Sequence, residues 1–250
     1  MSELRPNRIG VIVLLVLVVG LIAGANAWKT SLKLRHIEVR GNRLVGANEI
    51  IQLAQVRPGA LISTADLTTI RQNVMSHHYV KDALVERDLP GTLRITVTER
   101  SPIAIVNRPD PVYLDEDGVV LPRTVSRTLI DLPVISGIPS SAPLTLGSHL
   151  TTGDVQESLQ ILAALKFMSS ELYHNVSEIQ VRNGGDIVLY SADNSVPIIF
   201  GQGDIAPKLA RLETFWNTVV HDRGSQDLQY VDLRFADQVV VRWNDGVHHL

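Results

Sequence analysis

Few residues in this 250-residue chain have types and spacings that do chemistry. Asp115-Glu116-Asp117-Gly118 gathers carboxylates beside a glycine, as the opening of a calcium loop does. Such a loop takes oxygen ligands at alternate positions and a glutamate at the twelfth, and counting from Asp115 that place is held by Ser126. The same four residues read better as a hairpin turn. His77-His78 and His248-His249 are adjacent pairs, whose side chains project apart, whereas metal-binding histidines four apart on a helix converge. Gly201-Gln202-Gly203 precedes a helix, where free amides attract anions, but it lacks the further glycine and the Lys-Ser/Thr of phosphate loops. Asn175-Val176-Ser177 matches a glycosylation acceptor and is read as chance. Neither a Gly-x-Ser-x-Gly elbow nor an HExxH helix occurs, and the absence of cysteine removes thiolate nucleophiles, zinc-thiolate sites and disulfides. No catalytic residue, cofactor or metal is assigned, and the expectation is a protein that is not an enzyme.

The informative residues are then those that would hold a partner. From Tyr230 to Phe235 the alternation puts Val231, Leu233 and Phe235 on one face and Tyr230, Asp232 and Arg234 on the other. If the first face builds a core, the second displays an aromatic, an acid and a base, the side chains that dominate interfaces. Val239, Val240, Val241 and Arg242 form a last strand, and a last strand at a sheet edge offers its unpaired backbone to another chain. Trp243 would either meet that chain or pack against its own domain.

Those residues must be positioned by the elements before them. Ile9 to Ala27 is an uncharged apolar run of nineteen residues, which as a helix spans about 28 Å, close to a bilayer core of about 30 Å. It reads as a single transmembrane helix following a cytoplasmic tail of residues 1–8. Ala25-Asn26-Ala27 is also a small-x-small site, so a signal peptide cleaved after Ala27 is the competing reading. Either way the rest of the chain lies across the membrane. Charge is divided along it: Trp28–Asn107 carries a balance of +4 and Arg108–Leu250 one of −8, a distribution against nucleic-acid binding by the bulk of the protein. Ordinary solvated faces account for it better than lipid recognition does.

Past the apolar run the expected order is strand (His36–Arg40), helix (starting at Gly46, ended by Pro58-Gly59), helix (opened by Ser63-Thr64-Ala65-Asp66 as a capping box), then strands Val80–Arg87 and Leu93–Glu99 joined through Leu89-Pro90-Gly91-Thr92. Three strands with two helices on one face bury these stripes. A second domain follows, with a hairpin about Asp115–Gly118, the segment Leu132–Gly137, a long helix over 153–172, strands at 179–182, 187–190 and 197–200, a helix over 205–220 bearing Leu209, Leu212, Trp216 and Val219, and the two closing strands.

The run Leu34–Val106, with Ile37-Glu38-Val39-Arg40-Gly41-Asn42 and the Glu-Arg-x-Pro-x-Ala ending Glu99–Ala104, resembles a POTRA domain of the FtsQ/DivIB cell-division family. Leu132–Gly137 and Tyr230–Trp243 extend the resemblance over nearly the whole chain. The fold class it supports is α+β: one transmembrane helix over 9–27, a POTRA domain (β-α-α-β-β) over 34–106, a mixed domain over 107–243 with a predominantly antiparallel sheet ending in an edge strand, and a tail over 244–250. The resemblance implies a divisome scaffold at the septum, whose C-terminal strands bind FtsB (DivIC in other bacteria) in a complex with FtsL, and whose POTRA unit docks further partners, FtsK among the candidates. It assigns the binding role to Tyr230, Asp232, Arg234 and Trp243, and implies no small-molecule substrate. The rivals are a secreted POTRA protein of outer-membrane assembly and a membrane-anchored cell-wall enzyme.

Overall fold

The computed structural model describes residues 8–123, 131–139, 144–182 and 184–244, with side chains in its first helix described over 10–24 and again from Ser31. Ser126, Asn183, His248-His249 and residues 1–7 of the N-terminal tail lie outside the described residues. The chain divides into two compact units between Glu99 and Arg100.

The first helix, α1 (Arg8–Ser31), runs through the apolar stretch and continues unbroken past Ala25-Asn26-Ala27. Its described side chains are all exposed, with Val11, Leu14, Leu17 and Leu21 between 47% and 73% accessible. Among the described residues, which in α1 carry side chains over 10–24, no helix is long and apolar enough to cross a membrane.

The rest of the first unit has the predicted order: β1 (His36–Arg40), α2 (Ala47–Ala54), α3 (Leu67–Met75), β2 (Val80–Asp88) and β3 (Thr92–Glu99). The strands lie in the order β1-β3-β2, with β1 parallel and β2 antiparallel to β3. Ile50, Ala54, Ile70 and Val74 from the helices are buried, as are Ala83, Val85, Leu93, Ile95 and Val97 from the strands. Two details differ from expectation. α2 stops at Ala54, because Gln55 turns left-handed (φ 52°) and its N–H bonds Gln52 O, before Pro58-Gly59 is reached. α3 is capped by Asp66 and not by Ser63, which lies in a 3-10 turn over Ile62–Thr64. Asp66 accepts from Thr68 N (3.0 Å), Thr69 N (3.3 Å) and the Thr69 hydroxyl (2.7 Å), and its charge suits a helix start.

The second unit contains β4 (Pro102–Val106), β5 (Val112–Asp115), β6 (Val120–Leu121), β7 (Val134–Ser136), α4 (Gly153–Met168), α5 (Ser170–Asn175), β8 (Val176–Val181), β9 (Ile187–Ser191), β10 (Pro197–Gly201), α6 (Ile205–Phe215), α7 (His221–Arg223), β11 (Leu228–Asp232) and β12 (Val240–Trp243). Its nine strands form one sheet, β12-β11-β10-β9-β8-β7-β4-β5-β6. Most neighbours are antiparallel, but β4–β7, β7–β8 and β10–β11 are parallel. Val155, Leu159, Leu162 and Leu165 of α4 and Leu209 and Leu212 of α6 share one core with Ile135, Ile179, Leu189, Ile198, Phe200 and Val231 of the strands.

The boundary expected at Val106 is corrected here. β4 pairs with β5 and β7, and Ile103, Ala104 and Val106 are buried in the second core, so the first unit ends at Glu99. The long helix is also two. α4 ends where Ser169 goes extended (φ −150°) and its hydroxyl caps α5 by accepting from Leu172 N. Beyond α6 the chain widens into a π-helical turn over Trp216–Val220. The extra residue per turn rotates Val219 out to solvent and buries Val220 in its place.

Candidate partner-binding edge

β11 lies parallel to β10, with Ile199 opposite Asp232, and antiparallel to β12, with Tyr230 opposite Arg242, Val231 opposite Val241 and Asp232 opposite Val240. β12 is the terminal strand of the sheet. Tyr230 is thus one strand in from the margin, and the margin itself is 240–243. Asn244 closes the hairpin: its N–H bonds Asp227 O at 2.6 Å and its Oδ1 accepts from Gln229 Nε2 at 2.9 Å. Among the described residues, no backbone bond reaches the outer side of β12.

Val231 and Leu233 are fully buried, and Val239, Val241 and Trp243 pack partly against the same core. Phe235, expected beside them, is 47% exposed. The ladder stops at Asp232 and the following turn, with Asp237 at φ 56°, breaks the alternation. On the opposite face Tyr230 and Val240 are half-buried and Arg242 is exposed.

Asp232 is not displayed, contrary to expectation: it is 5% exposed. Its Oδ1 accepts from Arg234 N and Nε, both at 3.0 Å, and its Oδ2 from Arg234 Nη2 at 2.7 Å. These bonds to Arg234 are the main cause that holds the Asp232 carboxyl below its ordinary value, against burial, which acts to raise it. Asp232 therefore holds the planar fork of Arg234 in place. Arg234 keeps 46% of its side chain exposed and approaches Asp186 to 3.9 Å.

Two contributors were not read from sequence. Gly201 has φ +72°, and a Cβ there would stand 2.8 Å from Arg234 Cγ. Its lack of a side chain leaves the space that Arg234 fills, whereas the sequence marks it only as a glycine ahead of a helix start. Arg223 lies over the Trp243 ring at 3.9 Å from the centroid. The indole therefore packs against its own domain and is clasped by a cation. No sequence signal joins residues twenty apart in this way.

The other chemical candidates resolve into structure. Asp115, buried, accepts from Asp117 N (3.0 Å) and Val119 N (2.8 Å) and pairs with Arg100 Nη1 at 2.7 Å, so it holds a hairpin turn. At the start of α6 the amide of Gly203 is taken by the chain's own Glu157. Lys208 is buried, donates to Gln202 O and lies over Phe200, and burial lowers its pKa. His77 pairs with Glu49 and accepts from Tyr79 N. The Ser177 hydroxyl is committed to Tyr190 O and Ser191 O. Among the described residues, no group of three or more His, Cys, Asp or Glu is placed to hold a metal ion.

Comparison with known proteins adds the biological class. Residues 32–100 match the family described as POTRA domain, FtsQ-type, and residues 104–234 match Cell division protein FtsQ/DivIB, C-terminal. The chain is 32% identical over 216 residues to a protein of Geotalea daltonii named Cell division protein FtsQ, covering 86% of this chain and 78% of that one. It is 33% identical over 250 residues to the protein of that name from Rhodothermus marinus, covering 96% and 89% respectively. The one from Salinibacter ruber is 28% identical, with 96% and 93% covered. Both matched family segments leave out α1 and β12.

Proposed function

The chain belongs to the FtsQ/DivIB family of cell division proteins, and we propose that it is a non-enzymatic scaffold that recruits and links septal division proteins by protein–protein binding. Its partners are FtsB/DivIC-like and FtsL-like membrane proteins, with FtsK as a further candidate for the POTRA unit. α1 is a retained single-pass anchor: the uncharged run Ile9–Ala27 has the length of a bilayer core, and its described side chains find no cover on the protein. The helix also passes unbroken through the small-x-small site, which supports an anchor over a cleaved leader, since a peptidase takes an extended segment. The amino terminus is then inside, and both folded units lie on the outer face of the cytoplasmic membrane. Confinement to a plane raises the effective concentration of partners anchored in the same membrane.

The observation that carries the binding mode is the outer side of β12, which no backbone bond reaches among the described residues, with Arg242 on that strand and Tyr230 opposite it on β11, while Arg234 follows β11 and reaches toward Gly201 and Asp186. A partner strand added there gains main-chain hydrogen bonds, while the half-buried tyrosine and the arginines give it selectivity. The test is in-cell photocrosslinking at each of residues 228–243. Capture of the FtsB-like protein from 240, 242, 230 and 234, with none from the core positions 231 and 233, is the expected pattern. Tyr230→Ala should weaken capture about 30-fold, the scale of a 2 kcal/mol hot spot, at unchanged thermal stability. Capture that ignores positions 240–243 would overturn this reading.

A further inference from the structure

The first unit brings together residues that lie far apart in sequence at the point where the chain leaves α1. Directly after the helix, Ile62 N bonds Leu32 O (2.9 Å), Leu34 N bonds Ala60 O (2.8 Å), Gly59 N bonds Leu34 O (2.9 Å), and Arg35 N bonds Gly91 O (2.8 Å). Lys33 and Leu61 form a β-bridge. Arg87 ties the same end from the other side, donating to Ile62 O at 2.9 Å and Ala65 O at 2.6 Å. These bonds leave no slack between α1 and the loops around Leu61 and Leu89.

That end of the unit carries two exposed leucines, Leu61 at 39% and Leu89 at 47%, and three exposed cations, Lys33, Arg35 and Arg57. Among the described residues none of these three side chains makes an ion pair. Two carboxylates in the flanking segments are already engaged, Asp66 by Thr68 and Thr69 and Asp88, next to Leu89, by Arg94. Apolar tips ringed by unneutralised cations are what a bilayer interface takes: the leucines enter the headgroup boundary and the cations meet anionic lipid.

We infer that this collar docks the first unit on anionic lipid headgroups, with Leu61 and Leu89 at the interface and Lys33, Arg35 and Arg57 above it. The inference rests on the reading of α1 as a membrane anchor. The docking would orient the unit at the membrane surface, so that the partners it meets are those whose own segments lie within a few residues of the bilayer.

The absence of cysteine makes single-site labelling direct. An environment-sensitive dye is placed at Val16→Cys, Leu61→Cys, Leu89→Cys or Thr98→Cys in separate full-length chains, in vesicles of phosphatidylcholine with and without phosphatidylglycerol. Thr98 is exposed near the far end of β3, about 20 Å along the strand from Gly91. Doxyl lipids labelled near the headgroup should quench the dyes at 61 and 89 and not at 98, more strongly with phosphatidylglycerol and less at high salt. Replacing Lys33, Arg35 and Arg57 by Gln should lower the docked-to-undocked ratio on the order of 100-fold. Deep quenching at 16 with water-like emission at 61 and 89 would overturn the collar alone. No deep quenching at 16 would overturn the anchor and the collar together. The triple variant quenched as strongly as the parent would remove the anionic-lipid part.

Discussion

The two margins of the nine-stranded sheet are finished differently. At β6 the strand is fully buried and the chain covers its own edge: Val120 N bonds Ser148 O at 2.9 Å, Gly147 N bonds Val120 O at 2.8 Å, Leu150 N bonds Gly118 O at 2.9 Å, and Val119 pairs with His149. At β12 two valines, an arginine and a tryptophan lie half-buried or exposed, and among the described residues nothing of the chain bonds their outer side. The first unit protects its two margins in a third way, since β1 carries Glu38 and Arg40 in five residues and β2 carries Lys81, Asp82, Glu86, Arg87 and Asp88 in nine. An uncovered apolar strand edge invites association. A chain that covers one margin and charges two others has the means to protect a fourth, and the exception at β12 is therefore the place to look for a partner.

The largest expected effect breaks the covered side. Asp115→Ala removes a buried carboxylate that holds the Asp117 and Val119 amides and leaves Arg100 without that partner. The change should cost about 3–5 kcal/mol in urea unfolding, the range for one partner removed from a buried pair. Crosslinking from β12 in the fraction that stays folded should be unchanged. A loss below about 1 kcal/mol would mean that the covered margin does not depend on this carboxylate.

The next effect appears at high pH, again on the covered half. Burial first, and then the nearby charge of Asp131, push the Tyr173 phenol up to about 12. Its hydroxyl donates to Ile103 O on β4 at 3.1 Å. The folded chain keeps this proton where the unfolded chain, with an ordinary value near 10, releases it. Stability present below pH 10 is therefore lost as pH rises toward 12, by about 2–3 kcal/mol. Tyr173→Phe should flatten that decline in unfolding curves taken across the interval, and a variant with the parent's slope would contradict the assignment.

Element order was legible because periodicity and turn residues act locally: His36–Arg40, the two short helices and the β2–β3 hairpin stand almost where the pattern put them. The errors arose where a distant contact decides. Whether β4 belongs to the first or second unit depends on its pairing with β5 and β7, which alternation cannot reveal. The phase slip at Val219 comes from a π-helical turn that a 3.6-residue period does not contain. At the candidate edge the inward residues Val231 and Leu233 were readable, while Asp232 was placed on display because alternation knows faces but not partners. Only the bidentate bond to Arg234, with Gly201 making room for it, turns that acid into a support. Charge balance alone favours solvated faces over lipid recognition for the same reason, since the residues of the collar, Lys33, Arg57, Leu61 and Leu89, meet only through the backbone bonds after α1.

The smallest effect decides what Arg234 does on the open side. Reversing its charge would strand a buried carboxylate, so lost binding in such a variant would not separate contact from damage. Arg234→Gln is milder, and because the arginine is 46% exposed its loss should cost about 1–2 kcal/mol at pH 7, less than at Asp115. In the parent the Asp232 carboxyl sits below its ordinary 3.8, so the pair contributes above that pH and the contribution is lost as pH falls through the lowered value. Without the arginine the buried carboxyl is relieved by protonation, and the gap between parent and variant should narrow as unfolding is measured from pH 7 down to 3. Asp232→Asn completes the comparison by releasing Arg234 while keeping its charge. Capture retained in Asp232→Asn and lost in Arg234→Gln assigns the guanidinium to the partner. Equal loss in both would make the pair a brace for the β11 end, and would leave Tyr230, Arg242 and the β12 backbone as the residues that meet the incoming strand.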